Sequence, residues 1–162
     1  MNINIYGIVF FLRKTYLYAL ITYNTDSMAY KIIDLEGIGA VYAEKLVAAG
    51  VVTADDLLEK CAAPKGRKEL AEATGITEKL ILKWTNYADM FRIHGVGPQF
   101  AELLEAAGVD TVKELAHRVP ANLAAKMAEV NEEKKLVRRV PVESELQKMI
   151  DEAKTLPGVI TY

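Results

Sequence analysis

The sequence matches itself at an offset of 58 residues, and this internal repeat constrains the fold more than any other feature. Residues 35–46 (LEGIGAVYAEKL) align with residues 93–104 (IHGVGPQFAELL), and AAGV at 48–51 recurs at 106–109. The match stays in register to residue 57, over 23 positions in all. Identical glycines and alanines held in register over such a length indicate a duplicated structural unit.

A fainter match at an offset of 65 residues extends each copy beyond the segment that matches at an offset of 58. It aligns Leu80 with Glu145, Trp84 with Met149, and Ala88 with Ala153. The seven residues by which the two offsets differ fall around 131–141 in the second copy. Because the aligned positions are four residues apart, each copy is predicted to end in a long helix, with Trp84 in the core.

Each feature of a copy has a physical role. A Gly-x-Gly pair permits a tight turn with positive φ, and a proline such as Pro98 suits the first turn of the helix that follows. Gly50 and Gly108 stand where a helix C-terminus favours a left-handed residue. Thr53 and Thr111 are predicted to cap the next helix, each with a carboxylate three residues later, and the glutamate of the second copy predicts the fuller capping box.

The remaining helices follow from capping residues, prolines and glycines. They are predicted at about 64–73, from Thr77 to about Met90, from Pro120 or Asn122 to about Asn131, and from Pro141 to Pro157-Gly158. No segment after residue 30 alternates as a strand, so the predicted fold class is all-α.

Residues 1–27 differ in composition from the rest, with isoleucine, phenylalanine and tyrosine on both sides of Arg13-Lys14. The apolar run is too short to span a bilayer and lacks the order of a secretory signal. Three interpretations stay open: an extension packed on the domain, a weak membrane-surface anchor, or upstream sequence read from the wrong start, with Met28 as the native one. The predicted organisation is a doubtful extension at 1–27, copy one at 28–92, copy two at 93–157 and a tail at 158–162.

Composition and motifs argue against an enzyme. The net charge of −2 excludes binding to nucleic acid through a global positive field. One cysteine, Cys61, and two histidines, His94 and His117, cannot form a disulfide or a cysteine-rich zinc site, which predicts a cytoplasmic protein without metal or cofactor. The carboxylates that occur as adjacent pairs point in different directions on a helix, and no phosphate loop, Gly-x-Ser-x-Gly or His-Glu-x-x-His is present. We therefore expect no catalytic residues and no small-molecule substrate.

An apolar-x-Gly-apolar-Gly turn before an alanine-rich helix is similar to the helix-hairpin-helix motif of DNA repair proteins, DNA ligases and the C-terminal domain of the RNA polymerase alpha subunit. Residues 28–157, above all MAYKIIDLEGIGAVYAEKL and the segment from LKWTNYADM to VRRVP, resemble a mainly bacterial family of tandem helix-hairpin-helix proteins of unknown function. The resemblance implies an all-α fold in which two helix-hairpin-helix repeat units pack into one compact helical domain. It implies no settled activity.

In DNA-binding proteins with this motif, backbone N–H groups of the turn and the next helix donate to phosphate oxygens, whatever the base sequence. The residues that the resemblance assigns to such contacts are Gly37, Ile38, Gly39, Ala40 and Lys45 in copy one and His94, Gly95, Val96, Gly97 and Gln99 in copy two. Those proteins commonly have a basic residue just after the hairpin, whereas here the nearest is Lys45, and copy two has Leu103 in its place. The alternative is that the glycines only close turns between packed helices.

Two basic clusters are punctuated by glutamates: Lys65, Arg67 and Lys68, and Lys134, Lys135, Arg138 and Arg139. Mixed charge of this kind is typical of a solvated helix face, and Arg138 and Arg139 are the best further candidates for nucleic-acid contact. Two functions stay open: a sequence-independent module that binds the DNA or RNA backbone, and a protein-interaction scaffold that keeps the fold without DNA binding. A third is a membrane-associated adaptor using residues 1–27, although the sequence does not favour a membrane partner.

Overall fold

The computed structural model describes residues 30–162, so the interpretations of residues 1–27 fall outside the described part of the chain. A 3₁₀ turn at Ile32–Asp34 precedes the helices. These are α1 (Ala40–Ala48), α2 (Ala54–Cys61), α3 (Pro64–Thr74), α4 (Glu78–Met90), α5 (Pro98–Ala106), α6 (Val112–Leu115), α7 (Pro120–Lys134) and α8 (Glu143–Thr155). Among residues 30–162 the only β-type pairing is an isolated bridge between Lys31 and Thr53, so the all-α prediction is confirmed there.

The two long helices predicted from the offset of 65 residues organise the packing. Helix α4 contacts α2 and α3, and α8 contacts α6 and α7. Helix α5 links the halves because it contacts both α4 and α7. One core runs through both halves and includes Trp84, which is 1% exposed and packs against Tyr42 at 5.3 Å between ring centroids. The predicted core position of Trp84 is confirmed.

Helix ends follow the predicted caps in the first half and differ slightly in the second. Thr77 caps α4 by accepting a hydrogen bond from the Leu80 N–H. Helix α7 continues past the predicted end at Asn131 until Lys135 takes a left-handed conformation with φ 54°. Helix α8 begins two residues after Pro141, where the Glu145 carboxylate accepts the Val142 N–H at 3.0 Å. In the described part of the chain, no helix combines the length and apolarity that crossing a membrane requires.

The fuller capping box lies in the first copy, and the prediction that it lies in the second is wrong. The Thr53 hydroxyl accepts the Asp56 N–H at 3.1 Å, and the Asp56 carboxylate accepts the Thr53 N–H at 2.8 Å. Thr111 accepts the Glu114 N–H in the same way, but the Glu114 carboxylate accepts from the N–H of Asp110. The Asp56 carboxylate also accepts the Val52 N–H at 3.0 Å, so both carboxylates reach the residue before the cap, and only Asp56 bonds to the cap residue as well.

Arg67 does not belong to a solvated helix face, as the sequence suggested, because it is 5% exposed. Its guanidinium donates to the carbonyls of Cys61 and Ala62 at 2.9 and 3.0 Å and to that of Thr161 at 2.7 Å. Arg67 therefore ties the C-terminal tail to the junction of α2 and α3. Cys61 is buried there, and burial raises the pKa of its thiol to about 11, which makes it unreactive.

Candidate functional site at the two glycine turns

Turn one (residues 36–39) and turn two (residues 94–97) share their backbone geometry. The first glycine of each is left-handed, with φ +82° at Gly37 and +83° at Gly95. The second glycine of each is extended and caps the next helix, with φ −82° at Gly39 and −107° at Gly97. The predicted positive φ therefore holds for the first glycine of each pair, where a residue with a Cβ would be strained.

A side chain of α4 lies against turn one, and a side chain of α8 lies against turn two. A Cβ built on Gly37 would lie 3.5 Å from Trp84 Nε1, and one built on Gly95 would lie 3.6 Å from Met149 Cε. Trp84 and Met149 are the residues that the offset of 65 aligns. Helix α4 thus stands in the same relation to turn one as α8 does to turn two.

Hydrogen bonds after α1 and α5 also correspond at the offset of 58. Gly50 and Gly108 have φ of 80° and 85°, which confirms the predicted left-handed residues at the helix ends. The matched bonds run from the N–H of Val51 to the carbonyl of Leu46 and from the N–H of Val109 to the carbonyl of Leu104, both at 2.9 Å. Lys60 donates to the carbonyl of Ala49 at 2.7 Å, and Arg118 donates to that of Gly108, one residue beyond the position equivalent to Ala49. Sequence reasoning missed this last pair, although the two basic residues are 58 positions apart.

The candidate residues differ in their access to solvent. The exposed ones are Gly37, Gly39, Ala40, Lys45, His94, Gly95, Gln99, Arg138 and Arg139. Ile38 and Val96 are 5% and 3% exposed and anchor the turns in the core, so only their backbone could meet a ligand. Both turns therefore lie at the surface, held by one buried residue each.

Turn two already holds a carboxylate of its own chain. The His94 N–H donates to Glu152 of α8, at 3.2 Å to Oε1 and 3.1 Å to Oε2. The residue aligned with Glu152 at the offset of 65 is Tyr87, whose hydroxyl instead donates to Glu105 at 2.6 Å. Within the described residues the equivalent N–H of turn one, that of Glu36, has no acceptor. Sequence reasoning missed Glu152 because no local pattern links it to turn two.

A cavity of about 430 Å³, here named the acidic cleft, lies at the N-terminus of α5. Its lining residues are Asp34, Glu36, Gly97, Pro98, Gln99, Phe100 and Val137. Asp34 and Glu36, which precede α1, thus border the N-terminus of α5. Pro98 is the first residue of α5 and has no N–H to offer.

Glu102 of α5 lies near two carboxylates, Glu36 and Glu105, and near two lysines, Lys83 and Lys134. Burial raises the pKa of Glu102, and the charge of Glu36 raises it further. Burial also raises the pKa of the Tyr87 hydroxyl, together with its hydrogen bond to Glu105. Lys83 contacts Glu105 at 3.0 Å and offsets part of the negative charge.

The two arginine candidates lie in the loop between α7 and α8. Arg139 forms a two-pronged ion pair with Glu145 at 2.7 and 2.9 Å. This pair raises the pKa of Arg139 and lowers that of Glu145 to about 2. Arg138 is exposed. The structure therefore leaves Arg138 more available than Arg139 for contact with a nucleic acid.

The described residues include no group of three or more histidine, cysteine or acidic side chains arranged to hold a metal ion. A family model described as "Domain of unknown function (DUF4332)" matches residues 36–156. No curated protein and no solved structure is similar enough to the chain to count as a match.

Proposed function

The chain belongs to the family described as Domain of unknown function (DUF4332), and from that premise we propose that it is a non-enzymatic module that binds a protein partner through the acidic cleft. The observation that carries this proposal is the position of Asp34 and Glu36 at the N-terminus of α5. An approaching phosphate would meet both carboxylates, whereas a lysine or arginine would be attracted by them.

Order-of-magnitude electrostatic energies favour a cation over an anion at this cleft. The dipole at a helix N-terminus stabilises an anion by about 0.3–1 kcal/mol. One carboxylate about 4 Å from that anion costs about 1 kcal/mol in water and about 4 kcal/mol at the effective dielectric of a protein surface. Turn two also has its His94 N–H bound to Glu152 and lacks an N–H at Pro98. Two exposed carboxylates beside this helix end therefore offset the attraction that its dipole offers a phosphate.

The apolar lining suggests the partner's chemistry. Phe100 and Val137 are half-buried and share the cleft with the two carboxylates. Long basic side chains bury an aliphatic stem on apolar surface while their charge meets an acidic group. We propose that a partner segment inserts a lysine or arginine, with its stem against Phe100 and Val137 and its charge beside Asp34 and Glu36.

We further propose that the two halves are tandem helix-hairpin-helix copies. The matched φ angles of Gly37 and Gly95, and the matched hydrogen bonds after α1 and α5, support this assignment. In this proposal copy two keeps the backbone geometry of the motif, but its His94 N–H donates to Glu152 and no longer contacts an external phosphate. A chain with one cysteine, and that one buried, suits a reducing compartment, and we place the module in the cytoplasm.

A second function, contact of turn one with a nucleic-acid backbone, is favoured by one comparison. The His94 N–H of turn two donates to the Glu152 carboxylate, and this contact supports the idea that the same turn geometry could bind a phosphate in turn one. The equivalent Glu36 N–H has no acceptor in residues 30–162. Gly39 and Ala40 are exposed, and Lys45 lies in α1, the helix that follows turn one. This contact would be independent of base sequence and steeply salt-dependent.

Fluorescence anisotropy of the full chain with two labelled probes tests both functions. One probe is a short peptide that alternates lysine and leucine, and the other is a duplex of arbitrary sequence, both at about 50 mM salt, where phosphate contacts are strongest. We expect the peptide to bind and the duplex not to. Asp34→Asn with Glu36→Gln should lower the peptide affinity about 10-fold, which corresponds to about 1.4 kcal/mol.

The matched control is Glu132→Gln, which removes a carboxylate from an exposed position of α7 outside the cleft. Its peptide affinity should equal that of the wild type. Duplex binding that falls steeply with salt and is lost in Lys45→Met would establish the second function instead. Equal affinity for the peptide and for its glutamate-leucine counterpart would overturn the first.

A further inference from the structure

A second cavity of about 430 Å³, here named the basic cleft, lies between α6, α8 and the tail. Its lining residues are Lys113, Ala116, His117, Ala153, Lys154, Leu156 and Gly158. Three of these side chains are basic and none is acidic, although the chain as a whole carries a net charge of −2. The sequence did not reveal this cluster because its basic residues come from segments about forty positions apart.

The walls of the basic cleft are held in place by a buried carboxylate. Asp89 is 1% exposed, accepts the Val112 N–H at the start of α6 at 2.8 Å, and pairs with Arg92 at 2.6 Å. Arg92 also donates to the carbonyl of Pro157, the residue just before the tail, at 2.9 Å. Asp89 and Arg92 thus fix α6 and the tail relative to each other, so the cleft is formed before any ligand enters.

The basic side chains are not all committed to partners. The stem of Lys113 lies along the tail, since a Cβ on Gly158 would be 3.5 Å from its Cδ and 3.6 Å from its Cβ. Within the described residues neither Lys113 nor His117 forms an ion pair, whereas Lys154 pairs with Asp151 at 2.9 Å. Lys113 is therefore an exposed side chain whose stem lies beside the tail, with no ion-pair partner among the described residues.

Stabilising helix ends does not account for all three basic residues. Lys113 and Lys154 lie in the last turns of α6 and α8, where cations are favoured by the helix dipole. That role needs one exposed cation at each end and no concave surface. His117 adds a third basic group, and Ala153 and Leu156 supply a buried and a half-buried apolar wall.

We propose that the basic cleft binds a small soluble organic anion, with its carboxylate or phosphate between Lys113, His117 and Lys154 and a short apolar portion against Ala153 and Leu156. Clefts of this size with an apolar lining and a few convergent polar groups are typical of small-ligand sites. The inference is independent of the protein-binding function, because the two clefts share no residue.

The test uses the ¹⁵N-labelled full chain and four probes: hexanoate, hexyl phosphate, inorganic phosphate and hexylamine. Hexanoate or hexyl phosphate should shift the amide signals of Ala153, Leu156 and Gly158 in a saturable manner, and inorganic phosphate should bind more weakly than hexyl phosphate. Hexylamine, which has the same apolar tail and the opposite charge, should produce no saturable shift. Equal binding of hexylamine overturns the proposal.

Lys113→Met keeps most of the stem against Gly158 and removes the charge. It should weaken hexanoate binding at least about 5-fold, on the order of 1 kcal/mol, while Lys65→Met on the exposed face of α3 should not. Unchanged hexanoate binding in Lys113→Met, or no saturable shift with either six-carbon anion, contradicts the proposal. Co-sedimentation of the wild type with phosphatidylglycerol vesicles, lost in Lys113→Met, would assign the cleft to a lipid head group and overturn the soluble ligand.

Discussion

Turn one and turn two have the same backbone and different surroundings. Gly37 and Gly95 share a φ within one degree, and Ile38 and Val96 anchor both turns in the core. Yet the N–H of turn two holds Glu152, whereas the equivalent Glu36 N–H has no acceptor in the described residues. Glycine and one buried apolar residue are thus enough to build this turn. What the turn can bind is decided by side chains that other helices bring to it.

The support beneath the turns gives the largest expected difference between them. Trp84 is 1% exposed under turn one, whereas its counterpart Met149 under turn two is only half-buried. Removing a buried tryptophan side chain costs about 3–5 kcal/mol, so Trp84→Ala should lower the free energy of unfolding by that amount. Met149→Ala should cost less than about 2 kcal/mol because part of its side chain is already in water. Urea unfolding followed by circular dichroism measures both free energies of unfolding. Equal decreases in the two variants would contradict the larger contribution of Trp84.

The left-handed glycines should respond equally in the two turns. A residue with a Cβ in this conformation costs about 1–2 kcal/mol, so Gly37→Ala and Gly95→Ala should each destabilise the protein by that amount. Gly39→Ala is the control, because φ is −82° there and an added Cβ has nothing within 4 Å. It removes only the N-cap preference for glycine over alanine and should cost less than Gly37→Ala. A loss at Gly39 as large as that at Gly37 would show that conformation is not the cause.

Removing the carboxylate from turn two should make it resemble turn one. Glu152→Ala deletes the acceptor of the His94 N–H, a hydrogen bond expected to contribute about 0.5–1.5 kcal/mol. Amide hydrogen exchange should become faster at His94 and stay unchanged at Glu36. Lys148→Ala, an exposed change on the same helix, is the control. If His94 exchanges at the same rate in the variant, the carboxylate does not protect turn two.

The smallest effect concerns the charge beside turn one. Burial and Glu36 raise the pKa of Glu102, so its ionised form is disfavoured in the folded protein. Glu102→Gln should therefore be slightly more stable than the wild type at neutral pH, by a few tenths of a kcal/mol, since Glu102 is only half-buried and solvent screens its charge. The difference should disappear as the pH falls through the folded pKa of Glu102, which lies above its ordinary 4.5.

A carbon-detected NMR titration of the Glu102 side chain gives a second measurement of the same coupling. Glu36→Gln should lower the pKa of Glu102, whereas Glu132→Gln should leave it unchanged. If the pKa of Glu102 is the same in Glu36→Gln as in the wild type, the charge of Glu36 does not act on Glu102.

Sequence reasoning succeeded where a residue's role is local. Thr77 caps α4, Gly50 ends α1 in a left-handed conformation, and Trp84 packs in the core, each as its spacing indicates. It failed where a side chain bonds across the fold. Arg67 reaches Thr161 and Glu152 reaches His94, and no periodicity or motif joins such distant positions.

The same distinction applies to the candidate site. The turn residues could be predicted, because glycines and apolar anchors recur in register. The acidic cleft could not, since Asp34, Phe100 and Val137 come from three separate segments that only the packing of α5 brings together. The exposed arginines illustrate the limit as well, because the ion pair of Arg139 with Glu145 depends on where α8 begins.

The proposed function requires a basic segment to bind in the acidic cleft, rather than a phosphate to bind the exposed N–H groups of turn one, and amide chemical-shift mapping with the lysine-leucine peptide distinguishes the two. We expect saturable shifts at Asp34, Gly97, Gln99, Phe100 and Val137, and we expect Asp34→Asn with Glu36→Gln to need about 10-fold more peptide for the same shifts. Shifts confined to Gly39, Ala40 and Lys45 on addition of a duplex, with none in the cleft on addition of the peptide, would contradict the proposed function.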